Sequence, residues 1–247
     1  MEISGKNVLI TGGANGLGRT MVLSLVEQGA RVIVLDIDQL GIEELKSHKS
    51  VTCIRCDITK PLQIETVMHK VFADGLKLHA LINNAGILHS EPILNLMAEQ
   101  KRHQIDSWNE VLALNLTAPF IVSSYVIEHM AINRIKGVIV NISSVSARGN
   151  PGQTAYSASK SGLEAMTRVW SKELGAYGIR AVAIAPGFIE TSSTRRAVPK
   201  EILEDIRLKV PLKRLGSETD ISQLVITVIK NDYLNGSVIA VDGGIVL

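Results

Sequence analysis

The chain of 247 residues carries 26 Lys+Arg against 24 Asp+Glu, a formal net charge of +2, with 46% hydrophobic and 4% aromatic residues. This is a globular composition, long enough to bury a large core in one domain spanning residues 1–247. It has no basic surplus of the kind a nucleic-acid binder carries, and it reads without a run of the roughly 18–20 apolar residues that cross a bilayer. It opens on Met1-Glu2-Ile3-Ser4-Gly5-Lys6 without a signal pattern, so a cytoplasmic protein with no membrane or nucleic-acid partner is expected.

In chain order, apolar runs of strand length fall at residues 8–10, 31–35, 51–56, 80–82, 138–142, 181–185 and 238–241. Continuous runs of this kind suit strands buried on both faces of a parallel sheet. Between them lie helical patterns over residues 16–27, 64–72, 108–130 and 155–177. The alternation predicts right-handed βαβ crossovers and a Rossmann-type, doubly wound, three-layer α/β sandwich with a seven-stranded parallel sheet. Two segments break the rhythm, 87–107 and 188–210, the second carrying Arg195, Arg196, Lys200, Arg207 and Lys209. Both read as irregular connections leaving the carboxyl ends of strands, where lids and binding loops sit.

Cys53 and Cys56 form a CxxC within the third apolar run. Residues three apart on a strand face opposite sides and lie about 10 Å apart, beyond the ~7 Å that a disulfide spans. The histidines at 48, 69, 79, 89, 103 and 129 show no metal spacing, so no metal is predicted. His89 is placed either in the substrate cleft or on a surface loop.

The first strand runs into Thr11-Gly12-Gly13-Ala14-Asn15-Gly16-Leu17-Gly18 and then a helix. Gly12 permits a tight turn, Gly16 lets the backbone approach a pyrophosphate at the helix N-terminus, and Gly18 allows close packing of helix on sheet. Asp36 ends the second strand about 20 positions on, placed to hydrogen-bond the adenosine ribose hydroxyls or to cap a turn. Its charge repels a 2′-phosphate and no arginine follows, which favours NAD over NADP. Asp57, followed by Ile58, serves either the adenine or a solvated turn. Tyr156 and Lys160, four apart, share a helix face, where the lysine cation lowers the phenol pKa and makes Tyr156 a general acid/base.

With Asn83-Asn84-Ala85-Gly86, Asn115, Asn141-Ile142-Ser143-Ser144, Pro186-Gly187 with Thr191, and Val241-Asp242-Gly243-Gly244, these motifs resemble the short-chain dehydrogenase/reductase family over essentially the whole chain. The resemblance implies that Tyr156 exchanges the proton of the substrate oxygen and that Lys160 tunes it and holds the nicotinamide ribose. It implies that Ser144 bonds the substrate oxygen and that Asn115 anchors a proton-relaying water. Asn83 or Asn84, with Ala85 and Gly86, would pack beside the adenosine, and Pro186, Gly187, Ile189 and Thr191 would hold the nicotinamide end. The family's usual serine-to-tyrosine spacing points to Ser143, whereas the direction set by the strand 138–142 points to Ser144, which is the expected residue.

The length of the connection between Gly86 and Asn115 and the compact C-terminus resemble type 2 3-hydroxyacyl-CoA dehydrogenases and, next, 3-oxoacyl-acyl-carrier-protein reductases. The first implies a CoA thioester substrate, with Arg195 and Arg196 near its phosphates. A sugar, polyol or steroid dehydrogenase and a non-catalytic NAD sensor are the other readings. The long helices resemble those that pair subunits in the family, so a homotetramer is expected.

Overall fold

The computed structural model describes residues 1–73, 75–191, 194 and 200–245. Seven strands form one sheet: β1 (Asn7–Thr11), β2 (Arg31–Asp36), β3 (Val51–Arg55), β4 (Leu78–Asn83), β5 (Gly137–Ile142), β6 (Ile179–Pro186) and β7 (Val238–Val241). Their order is β3-β2-β1-β4-β5-β6-β7, and every pair is parallel. This is the doubly wound sheet that the sequence predicts.

Alternation along each strand divides the core between two faces. Val8, Ile10, Val32, Val34, Val138 and Val140 face one side. There they meet Met21, Val22 and Leu25 of α1 (Gly16–Glu27), Leu45 of α2 (Gln39–Leu45) and Ile221, Val225, Val228 and Ile229 of the last helix, Glu218–Lys230. Leu9, Ile33, Leu35, Leu81 and Ile139 face the other side, against α3 (Pro61–Phe72), α5 (Ala118–Ile132) and α6 (Thr154–Glu173). Each fully buried aliphatic side chain contributes on the order of 1.5–3 kcal/mol. Cys53 packs with the first face and Cys56 with the second, and both are free thiols.

The chain turns back on itself between β1 and β4, which are neighbours although two strands intervene in sequence. The loops at the carboxyl ends of β1 and β4 therefore diverge and leave a crevice, the ligand position of open α/β sheets.

Three features differ from the sequence reading. The predicted helix over 108–130 is α4 (Ile105–Leu112), a π turn (Ala113–Thr117) and α5 in succession. Pro119 lacks the N–H that would bond the Asn115 carbonyl four residues back, and the chain widens there. By length and composition the stretch Ile105–Ile132 is apolar enough to cross a membrane, contrary to expectation. In the fold it lies along the sheet, with Val122, Val126 and Met130 in the core. Finally, the segment read as irregular over 188–210 contains a helix, α7 (Lys200–Lys209), and the chain ends through α8 (Glu218–Lys230) and β7. No residue of α7 is fully buried, but the helix is amphipathic, with Leu203 and Ile206 half-buried one turn apart, a pattern present in the sequence that the irregular reading of 188–210 passed over.

Candidate active site

The loop between β1 and α1 is shaped by close backbone contacts. Gly12 has φ +65° and a Cβ there would stand 2.8 Å from Ala85 Cα; a Cβ at Gly18 would stand 1.9 Å from the Gly12 carbonyl oxygen. Only glycine fits either position. At Gly16, with φ +50°, the nearest atom to an added Cβ is Glu218 Oε1 at 3.9 Å, so this side of the loop is open. Asn15 supplies no side-chain cap to α1 and the first turn holds no acidic residue, so the helix N-terminus presents its N–H groups to an incoming anion. The Asn15 amide instead donates to Asp38, while Leu17 packs against the core.

Asp36 stands at the carboxyl end of β2 facing this loop. Its Oδ2 accepts from Ala14 N at 2.8 Å and its Oδ1 from Asp38 N at 3.0 Å. The carboxylate thus fixes the loop and places negative charge beside it; both sequence readings, loop fixation and ribose recognition, use the same position. Asn84 closes the other side, donating to the carbonyls of Thr11 (3.1 Å) and Gly12 (2.7 Å), and Ala85 N donates to Thr11 Oγ1. These backbone approaches, impossible with larger residues, make a cradle that fits a nicotinamide dinucleotide.

The second cluster forms where β5, the π turn and α6 meet. Lys160, on α6, is buried and donates from Nζ to Ile142 O at 2.8 Å; its Nζ lies 5.7 Å from the centre of the Tyr156 ring. Burial pushes its pKa down to about 8. Burial also pushes the Tyr156 phenol above its usual value, opposed by a hydrogen bond with Ser144. This reverses the lowered phenol pKa expected from the sequence. The lysine is itself desolvated and is drawn to a backbone carbonyl, so the phenol's own desolvation dominates.

Ser144 Oγ accepts from Ser146 N at 3.1 Å, which leaves its hydrogen for the Tyr156 oxygen. Ser143 points the other way, donating to Glu164 Oε1 at 3.0 Å. The structure therefore brings Ser144, not Ser143, to Tyr156. Asn115 is fully buried in the π turn; its Oδ1 accepts from Ile87 N at 2.9 Å and its Nδ2 donates to Ile87 O at 2.8 Å. Gly162 lets α6 press against Leu116, where a Cβ would meet Leu116 Cδ1 at 2.9 Å. Gly86 leaves a small space bordered by both Asn115 Oδ1 and Lys160 Nζ, 3.1 and 3.6 Å from where its Cβ would be.

Other predicted residues fall as follows. Asp57 Oδ1 is engaged by Thr59 N (2.9 Å) and Thr59 Oγ1 (2.7 Å), the geometry of a turn, and Ile58 is buried. Asn83 does not reach the cleft: it is buried, donating to Ser123 Oγ and Asn141 Oδ1, a strut between β4, β5 and α5. Gly187 follows Pro186 at the end of β6, where a Cβ would meet Asp242 Cα at 2.7 Å. Ile189 pairs with Gly216, and Thr191 Oγ1 accepts from Thr194 N at 3.0 Å. Arg195 and Arg196 lie outside the described residues. His89 bonds Glu91, whose N donates to Gly152 O at 2.6 Å and so ties the segment after β4 to the start of α6. Glu91 and Glu164 were not singled out from the sequence; their roles arise from contacts distant along the chain.

A family model described as short chain dehydrogenase matches residues 6–202. The chain is 36% identical to the 3-oxoacyl-[acyl-carrier-protein] reductase of Thermotoga maritima, across 100% of both chains. It is 34% identical to the 3-hydroxyacyl-CoA dehydrogenase type-2 of Homo sapiens, across 99% of this chain and 96% of that one. A crystal structure from Agrobacterium tumefaciens, provisionally named a gluconate dehydrogenase, aligns with a TM-score of 0.90 and 28% identity, across 100% of this chain and 98% of the other. Glycine cradle, buried lysine and tyrosine–serine pair thus sit on a chain that belongs to the short chain dehydrogenase family of nicotinamide-dependent oxidoreductases.

Proposed function

We propose that the protein is an NAD(H)-dependent 3-hydroxyacyl-CoA dehydrogenase, acting in either direction on the C3 oxygen of an acyl thioester through one catalytic domain. The observation that carries the reaction class is the convergence of Ser144, Tyr156, Lys160 and Asn115 beside the glycine cradle. NAD is favoured by the Asp36 carboxylate, which would meet a 2′-phosphate with like charge. The thioester is favoured by the relatives: the names of both the bacterial and the human protein specify chemistry at C3 of an acyl thioester.

The nicotinamide, when bound, supplies or accepts the hydride. The chain supplies orientation and protons. Ser144 and Tyr156 hydroxyls together bond the substrate oxygen and stabilise charge that develops there. In reduction Tyr156 gives its proton to that oxygen, its raised pKa keeping the phenol protonated beforehand, and in oxidation it takes the alcohol proton after passing its own to solvent. Lys160 keeps positive charge beneath the tyrosine near neutral pH, and the space at Gly86 leads from its ammonium to the Asn115 amide, a route for a relaying water. Exposed Phe120 and Ile132 on α5 and Val169 on α6 support pairing of copies into a homotetramer.

The test is NADH consumption with acetoacetyl-CoA, repeated with NADPH and with Tyr156→Phe. NADH turnover that disappears in the variant supports the proposal. Turnover with NADPH alone overturns the Asp36 argument. The Thermotoga relative favours a second reading, reduction of a carrier-protein thioester, which the same assay distinguishes when 3-oxoacyl-carrier protein replaces the CoA ester.

A further inference from the structure

The sheet has a second edge. Its N-terminal strand ends, opposite the glycine cradle, open on a cavity of about 630 Å³, within the range of small-molecule sites (about 300–1,000 Å³). Basic residues line it strand by strand. Lys6 immediately precedes β1, His79 lies on β4, Lys136 immediately precedes β5, and Arg180 is near the start of β6. These four strands are consecutive neighbours in the sheet. At about 4.8 Å per strand the row of basic side chains extends about 14 Å.

The charges on this wall do not cancel. Among the described residues lining the cavity, Asp232 alone is acidic; it lies 3.6 Å from Arg180 and 2.8 Å from the Met1 ammonium. The side chains of Lys6 and Lys136 make no hydrogen bond or close ion pair among the described residues, although Lys136 is near enough to Asp232 to act on its charge. Arg180 is held rigidly, donating to the carbonyls of Val228, Ile229 and Leu234. His79 Nδ1 accepts from Asn7 N at 3.3 Å, which leaves its ring hydrogen on Nε2. Burial, with the charges of Lys6 and Lys77 nearby, lowers its pKa against the effect of a hydrogen bond to the Lys77 backbone, so this ring is a neutral member of the wall. At the rim Tyr233 is 98% exposed and presents a flat aromatic face.

We propose that this edge is a second binding site, for a small molecule carrying two or more phosphates. A single phosphate would meet one end of the row, whereas a linear polyphosphate spans it, and Tyr233 offers a surface for an attached organic group. A strand of six residues is about 20 Å long, so this site and the cofactor cleft, at opposite strand ends, accept ligands at the same time.

The test is calorimetric titration of the full chain with inorganic tripolyphosphate, alone and with saturating NAD. The expected result is one equivalent that remains with saturating NAD, about tenfold or more weaker in Lys6→Ala/Lys136→Ala and unchanged in Lys101→Ala, with the affinity falling as salt rises. Lys136 and Lys101 are exposed and Lys6 is partly so, and matching thermal unfolding curves check that the variants fold. Absence of binding, loss of binding when NAD is present, or full affinity in the double variant would each overturn the proposal. None of these outcomes depends on the substrate reading above.

Discussion

Replacing Lys160 by methionine separates the cost of a buried charge from its use. Lys160 is 5% exposed, donates to Ile142 O at 2.8 Å, and has its pKa pushed from 10.5 to about 8 by burial. Between those values the unfolded chain keeps the lysine proton while the native state loses it, so native stability rises with pH through the window from 8 to 10.5. At 1.36 kcal/mol per pH unit the whole effect is about 3 kcal/mol, felt as a destabilisation below pH 8. Lys160→Met removes that penalty and gives up about 1 kcal/mol of hydrogen bond. The variant is therefore expected to be about 2 kcal/mol more stable at pH 7 and to lose turnover, the trade-off of a functional buried group. Between pH 7.5 and 9.5 the parent gains about 2 kcal/mol that the variant does not, and the gap closes. Burial raises the Cys53 thiol pKa and pushes that of Cys56 up to about 11, which erodes stability above pH 9 in both proteins and cancels in the difference. Urea denaturation followed by circular dichroism at pH 7.5, 8.5 and 9.5 provides the numbers. A variant less stable at pH 7.5, or a gap that ignores pH, would refute the reasoning.

Further substitutions probe the cradle and the serines. Gly18→Ala drives a methyl to 1.9 Å from the Gly12 carbonyl; loss of NADH fluorescence enhancement is expected, and retained binding would mean the loop yields. Asp36→Ala removes two backbone anchors, at 2.8 and 3.0 Å, together with the charge. The ratio of kcat/KM for NADH over NADPH should fall about tenfold or more, roughly 1.4 kcal/mol, and an unchanged ratio counts against the role of Asp36. Ser144→Ala should lower kcat about 10²–10³-fold, whereas Ser143→Ala, which breaks the Glu164 contact, should cost stability with kcat nearly intact; reversed effects would reassign the serine. Light scattering should return a tetramer, and a monomer would remove the pairing assigned to α5 and α6.

Much of this fold is legible because its information is local. A strand buried on both faces is almost wholly apolar, so residues 138–142, interrupted only by the hydrogen-bonded Asn141, and 181–185 announce β5 and β6 directly. The glycine loop declares itself because a positive φ and a backbone contact under 3 Å exclude every other residue type. Tyr156 and Lys160 are visible as a pair because helical pitch alone brings them together. What stayed hidden depended on partners far away in sequence. Glu91 is tied to Gly152 and Glu164 to Ser143, each a partner on another element.

By itself, then, the sequence determined the class of fold, the close-packed glycine loop and the shared helix face of the tyrosine and lysine, since each follows from spacing along one strand, turn or helix. Tertiary structure alone decided the rest. It chose between the adjacent serines, because the end of β5 turns Ser144 to Tyr156 and Ser143 to α6. It withdrew Asn83 into the core and tied one oxygen of Asp57 to Thr59. It also reversed the expected pKa of Tyr156, because desolvation is a property of everything packed around a group, and no spacing within a sequence encodes it.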